Sequence, residues 1–170
     1  MVVYKDLHND VNEQPSVPDH IIQLGIPECA GLTNFSLQEI INYNFQEEEV
    51  EVRCEICGNE NKIKKDYVDI YNSVIILQFK LFEAVNAIAF KKTKLNLTDI
   101  IQDVEISGNK FSVKGVISHQ GNTVDEGHYI NSMYDKTQDL WTTFNDDSIP
   151  HRSRSFLCEG DPYLIYLEKL

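Results

Sequence analysis

Cysteine is scarce in this sequence, with four residues among 170, at positions 29, 54, 57 and 158. They are too few and too unevenly spaced for the disulfide framework of a small secreted domain. Basic residues are also short: 15 Lys and Arg stand against 27 Asp and Glu, a formal net charge of −12. Nucleic-acid binders draw their affinity from clustered Lys and Arg, so a phosphate backbone is excluded as a partner. Long apolar runs are missing too. The longest that reads as buried, Val74-Ile75-Ile76-Leu77, falls far short of the ~20 residues that cross a bilayer. The opening Met1-Val2-Val3-Tyr4-Lys5 lacks the apolar stretch of a secretion signal. What remains is 42% hydrophobic and 10% aromatic, the composition of a folded domain with a sizeable core. The expectation is a soluble, intracellular protein, cytoplasmic or nuclear, with neither membrane nor nucleic acid among its partners.

Residues 1–20 read as a polar N-terminal arm, carrying Pro15 and Pro18 without periodicity. From 21 to 170 the chain reads as one unit. Ile21 to Ile26 suggests a short strand ended by Pro27. Ser36 to Phe45 is the best helix candidate, with Leu37, Ile40 and Ile41 on one face and Ser36 with Glu39 as a capping box. The period then changes to two. Val50, Val52 and Cys54 alternate with charged residues, Gly58-Asn59 is a turn, and Asn61 to Tyr71 supplies the return strand. Val74 to Phe82 reads as a strand buried on much of both faces, and Thr93 to Leu97 as a short one. Four further strands lie at Phe111–Ile117, Tyr129–Tyr134, Leu140–Phe144 and Tyr163–Leu167. The expected fold is α+β and β-dominated, a mostly antiparallel sheet with few helices.

Two constellations carry chemistry. Cys54-Glu55-Ile56-Cys57-Gly58 has the spacing of a zinc knuckle, in which two thiolates grip one ion. A closed site needs four ligands and no second Cys-x-x-Cys exists. Cys29, Cys158, His8 or His20 would have to complete it, and the alternative is two ordinary buried thiols. The second constellation joins His119-Gln120-Gly121, Gly127-His128-Tyr129 and Trp141 to Asp147. A glycine before a histidine at a strand start leaves the imidazole open, as a general base requires. A hairpin from Tyr129 to Phe144, turning at Asp135-Lys136, brings Asn145 back beside His128. That would give the His–Asn pair of a thiol hydrolase without its nucleophile. Taken singly, a histidine at a strand start such as His128 is more often a solvated or hydrogen-bonded structural residue, and Asn145-Asp146-Asp147 is an ordinary turn.

In order, these segments resemble the C-terminal half of the ubiquitin-specific protease catalytic domain, a papain-like deubiquitinase family. The resemblance rests on the helix leading into Cys54-Glu55-Ile56-Cys57, on Ile75 to Phe82, and on Phe111 to Gly121. It rests further on Gly127-His128-Tyr129, on Trp141 to Asp146, and on Tyr163-Leu164-Ile165-Tyr166. It implies a palm and fingers with the thumb missing, and thiol-dependent hydrolysis of ubiquitin isopeptide bonds. His128 then matches the general base, Asn145 the third triad member, and Asp146 an acidic neighbour that assists the histidine or the oxyanion site. His119, Gly121, Gly127 and Tyr129 fall where the substrate's Gly-Gly tail would pass. No cofactor is required, and a structural zinc ion is what Cys54 and Cys57 would half hold.

The departures from the family pattern are specific. No Gly-Asn-Thr-Cys nucleophile box is present, Ala30 to Phe35 runs on without a cysteine, and the first zinc knuckle is missing. Leu81 stands where the family has Arg. Cys29 and Cys158 are poor nucleophile candidates, since neither lies at an expected helix N-terminus. The chain is therefore expected to be inactive alone, with ubiquitin or a ubiquitinated protein as ligand and a second chain or upstream segment supplying the thumb. The alternative is a non-catalytic ubiquitin-binding module, a pseudo-deubiquitinase. Either way, a missing half-fold predicts exposed apolar surface and association.

Overall fold

The computed structural model describes residues 2–5, 11–14, 21–27, 34–51, 61–66, 73–84, 86, 90–123, 125–156 and 158–170. Strands β1 (Val2–Lys5), β2 (Val11–Gln14), β3 (Ile21–Leu24) and β4 (Asn34–Phe35) precede helix α1 (Leu37–Phe45). Next come β5 (Glu48–Glu51), β6 (Asn61–Asp66), β7 (Val74–Phe79), β8 (Phe82–Ala84), β9 (Phe90–Lys92) and β10 (Asn96–Leu97). The chain continues through β11 (Val104–Ile106), β12 (Asn109–Gln120), β13 (His128–Asp135), β14 (Leu140–Phe144), β15 (His151–Ser153) and β16 (Asp161–Lys169).

The helix forms where local signals place it. Ser36 Oγ accepts the Glu39 N–H at 3.2 Å, and the Glu39 carboxylate accepts the Ser36 N–H at 2.7 Å. These bonds satisfy two donors around the first turn that would otherwise lack partners. They also hold the Glu39 carboxyl below its ordinary range. Leu37, Ile40 and Ile41 face inward and are at most 2% exposed. Each buried aliphatic side chain of this kind stabilises the fold by about 1.5–3 kcal/mol.

That helix packs beneath an eight-stranded sheet in the order β15-β14-β13-β12-β16-β7-β3, with β11 paired to β12. The pairings are antiparallel except β3 beside β7, which is parallel. Alternation along β7 buries Ile75, Leu77 and Phe79, and β16 adds Ile165 and Leu167 to the same core. Trp141 closes it at the far side, its ring tilted against Phe156 with centroids 4.7 Å apart. A second sheet, in the order β2-β1-β6-β5, carries the acidic strand β5 in register with β6, Glu48 opposite Lys64 and Val50 opposite Lys62.

Several expectations change in detail. Within the segment read as a polar arm, residues 2–5 and 11–14 form strands, β1 pairing with both β2 and β6. Val2-Val3-Tyr4 has strong strand preference, and the nearby prolines and polar residues obscure it. The run from Val74 to Phe82 is not continuous. The Leu81 N–H turns back to the Phe79 carbonyl at 2.9 Å, so Phe82 starts a separate strand against β9. Of Thr93 to Leu97, only Asn96-Leu97 pairs, parallel to β4, because the Leu95 N–H is taken by Asp161 Oδ1 at 2.8 Å. Residues 52–60 and 67–72 lie outside the described residues, and with them part of the expected hairpin. No helix among the described residues is long and apolar enough to cross a membrane.

Candidate active site

Strands β13 and β14 build the site. Asn131 stands opposite Phe144 and Asp135 opposite Leu140. The turn between the strands is fixed by Asp135 Oδ1, which accepts the Thr137 N–H at 2.8 Å. With the legs in that register, the residue after β14 returns to the start of β13. Asn145 Oδ1 lies 2.6 Å from His128 Nε2. Asn145 Oδ1 can only accept, so the bond assigns the proton to Nε2 and leaves Nδ1 as the imidazole's lone pair. Asp146, held in the left-handed region at φ 44°, places Oδ2 3.7 Å from that Nδ1. With Nδ1 carrying a lone pair this is a contact and not an ion pair, between side chains that are 38% and 78% exposed. An imidazole held in this way can take up a proton at Nδ1 and return it.

Behind His128 lies His119, 1% exposed. Its ring meets Phe82 edge-on at 5.3 Å and Tyr129 at 4.9 Å, and Tyr129 in turn meets Tyr163 at 5.7 Å. Burial, and after it the charge of Lys92, pushes the His119 imidazole below its ordinary value, so it is neutral at pH 7. Its buried Nδ1 has no hydrogen-bond partner among the described residues. Gly127 lies directly against this ring. A Cβ there would overlap His119 Nε2 and come within 2.7 Å of the Gln120 carbonyl. The glycine before His128 is therefore demanded by the imidazole beneath it.

The structure thus brings His128, Asn145 and Asp146 together and gathers His119, Gly121, Gly127 and Tyr129 immediately beside them. Cys29, Cys54 and Cys57, with His8 and His20, lie outside the described residues. The described residues contain no group of three or more His, Cys, Asp and Glu that would hold a metal. Cys158 is described: its Sγ lies 3.0 Å from Ser118 Oγ and donates to the Gly160 carbonyl at 3.0 Å. Burial pushes the thiol up, the opposite of what a nucleophile needs. Sequence reasoning missed Lys92 and Asp161, an ion pair at 2.7 Å under the end of β12 whose lysine side chain is buried and whose aspartate is partly exposed. A lysine among Lys91 and Lys94 gave no signal of burial.

The family model for ubiquitin carboxyl-terminal hydrolase matches residues 2–166. The chain belongs to the ubiquitin carboxyl-terminal hydrolase family. No curated protein sequence matches it. Among solved structures, the yeast SAGA DUB module superposes with a TM-score of 0.77 at 20% identity, over 99% of this chain and 40% of that one. The SAGA module of Ubp8, Sgf11, Sus1 and Sgf73 bound to monoubiquitin gives 0.74 at 19% identity, over 99% and 39%. The same module bound to ubiquitin aldehyde gives 0.73 at 19%, over 99% and 40%. These likenesses establish the fold, the β-dominated α+β architecture of the papain-like hydrolases. The ubiquitin hydrolase-like chain spans about two fifths of the length of the chains it resembles.

Proposed function

We propose that this domain is the general-base half of a cysteine-type deubiquitinase, with His128 as base and Asn145 as the group that orients it. The 2.6 Å bond from Nε2 to Asn145 carries this reading, because it frees Nδ1 for a thiol. His128 Nδ1 takes the thiol proton, and the thiolate adds to the isopeptide carbonyl after the ubiquitin C-terminal glycine. The imidazolium then returns the proton to the departing lysine amine. Water, deprotonated by the same Nδ1, releases ubiquitin from the thioester. Asp146 Oδ2, 3.7 Å from Nδ1, stands as the acidic neighbour of the base.

The thiol comes from outside these 170 residues, on a thumb contributed by an upstream segment or by another chain. The thiol of Cys158 is half-buried and donates to the Gly160 carbonyl, which argues against it. Ubiquitin as ligand is supported by the ubiquitin-bound SAGA modules and by the −12 charge, which suits a basic peptide tail. The test is covalent labelling by a ubiquitin–electrophile probe after mixing with a thiol-bearing thumb. Labelling is expected, and His128→Ala should slow it by about 10²–10⁴-fold. Labelling that is indifferent to His128 would refute the assignment.

A second reading, a non-catalytic ubiquitin-binding module, is favoured by the guarded state of Cys158. NMR titration separates the two. Ubiquitin shifts without probe labelling under any thumb would support the binding module.

A further inference from the structure

Lys92 keeps only 4% of its side chain exposed. An ammonium buried that far requires a partner for each of its three N–H bonds. It has them: Asp161 Oδ2 at 2.7 Å, the Gly121 carbonyl at 2.7 Å and the His119 carbonyl at 2.9 Å. Asp161 is itself tied down, accepting the Leu95 N–H through Oδ1 at 2.8 Å. The two carbonyls belong to the residues on either side of Gln120, where β12 ends and the chain turns at Gly121 with φ +119°. Such a pair is a poor route to stability, since apolar side chains of equal volume would hold the sheet as well. Its geometry offers a different role. The backbone clasped by Lys92 carries His119, whose ring is wedged between Phe82 and Tyr129 and lies against Gly127. Gly127 carries His128. A continuous series of rigid contacts runs from the ammonium to the imidazole.

We propose that Lys92, with Asp161 as its counter-ion, is a positioning residue that holds His128 at bonding distance from Asn145. It touches neither His128 nor Asn145 and acts through His119 and Gly127. The significance of this clasp rests on the reading of His128 as the base, but its physical effect does not. The experiment therefore reads the His128 ring rather than turnover, following its Nε2–H proton by ¹⁵N-edited NMR in the 170-residue chain. Lys92→Met is expected to keep a dispersed amide spectrum while exchange of that proton with water quickens about tenfold, the equivalent of one hydrogen bond. Lys92→Arg, which keeps the charge and the donors, is expected to restore slow exchange. A Lys92→Met chain whose His128 proton exchanges at the parent rate overturns the proposal. If Lys92→Met gives no dispersed spectrum, Lys92→Gln is read in its place, and a parent-like rate there overturns the proposal equally. A chain that never labels with ubiquitin probes would refute the enzymatic reading and leave this result intact.

Discussion

Gly127→Ala, alone and combined with His119→Ala, tests how the ring beneath His128 shapes the site. The added methyl would overlap His119 Nε2 and sit 2.7 Å from both His119 Cε1 and the Gln120 carbonyl oxygen. Neither neighbour yields easily. The ring is enclosed by Phe82 and Tyr129, and Gln120 is paired with His128 in the sheet. Overpacking of this kind costs about 1–3 kcal/mol. His119→Ala alone opens a cavity and costs ~3 kcal/mol. In the double variant the methyl enters space the ring has left, and only the Gln120 oxygen still resists it. The two changes should therefore cost less together than separately, with a coupling of about 1–2 kcal/mol. Urea denaturation of the four chains measures this directly. At a slope of about 2 kcal/mol/M, Gly127→Ala moves the parent midpoint by ~1 M and the His119→Ala midpoint by less than half of that. Costs that add to within about 0.5 kcal/mol would show that the ring does not impose the glycine.

Three further outcomes follow from the same geometry. Because the folded-state pKa of His119 lies below its ordinary 6.5, the unfolded chain binds the proton first as pH falls. Its contribution to stability is full above pH 6.5 and declines below it, so His119→Phe should flatten the stability profile between pH 7.5 and 5.5; an unchanged slope would refute this. Cys158 should alkylate at least about tenfold more slowly in the folded chain than after unfolding, read by mass spectrometry on its own peptide, because its thiol is half-buried, tied to the Gly160 carbonyl and raised. Ser36→Ala removes the cap of α1 and should cost about 1 kcal/mol in urea, with no loss of the His128 Nε2–H signal.

Local signals were legible in the sequence, and distant pairings were not. The α1 cap lies within four residues, so Ser36, Glu39 and the Leu37-Ile40-Ile41 face announced themselves. His128 and Asn145 were legible for a related reason: one hairpin spans the 17 positions between them, and strand alternation fixes its register. The hairpin of β11 and β12 was available and went unread. Ser107-Gly108, at φ 48° and 76°, is the two-residue turn such dipeptides favour. Lys92 and Asp161 lay beyond this kind of reading. Each is an ordinary surface residue by composition, and only the tertiary fold puts them together beneath β12. The same holds for β1, whose partner β6 lies some sixty residues on.

The place of β16 in the large sheet bears on how the protein is made. It is the last of the described strands in chain order, yet it lies in the middle, with β12 on one side and β7 on the other. During synthesis β3 and β7 can pair, and β12 to β15 can pair, but the two groups share no ladder until residues 161–169 have left the ribosome. Until then both flanking strands present open edges and their apolar faces to the cell, the kind of surface that chaperones bind. Removing those nine residues would not fray the sheet at one margin. It would divide it into two halves, with Ile165 and Leu167 gone from the centre of the core.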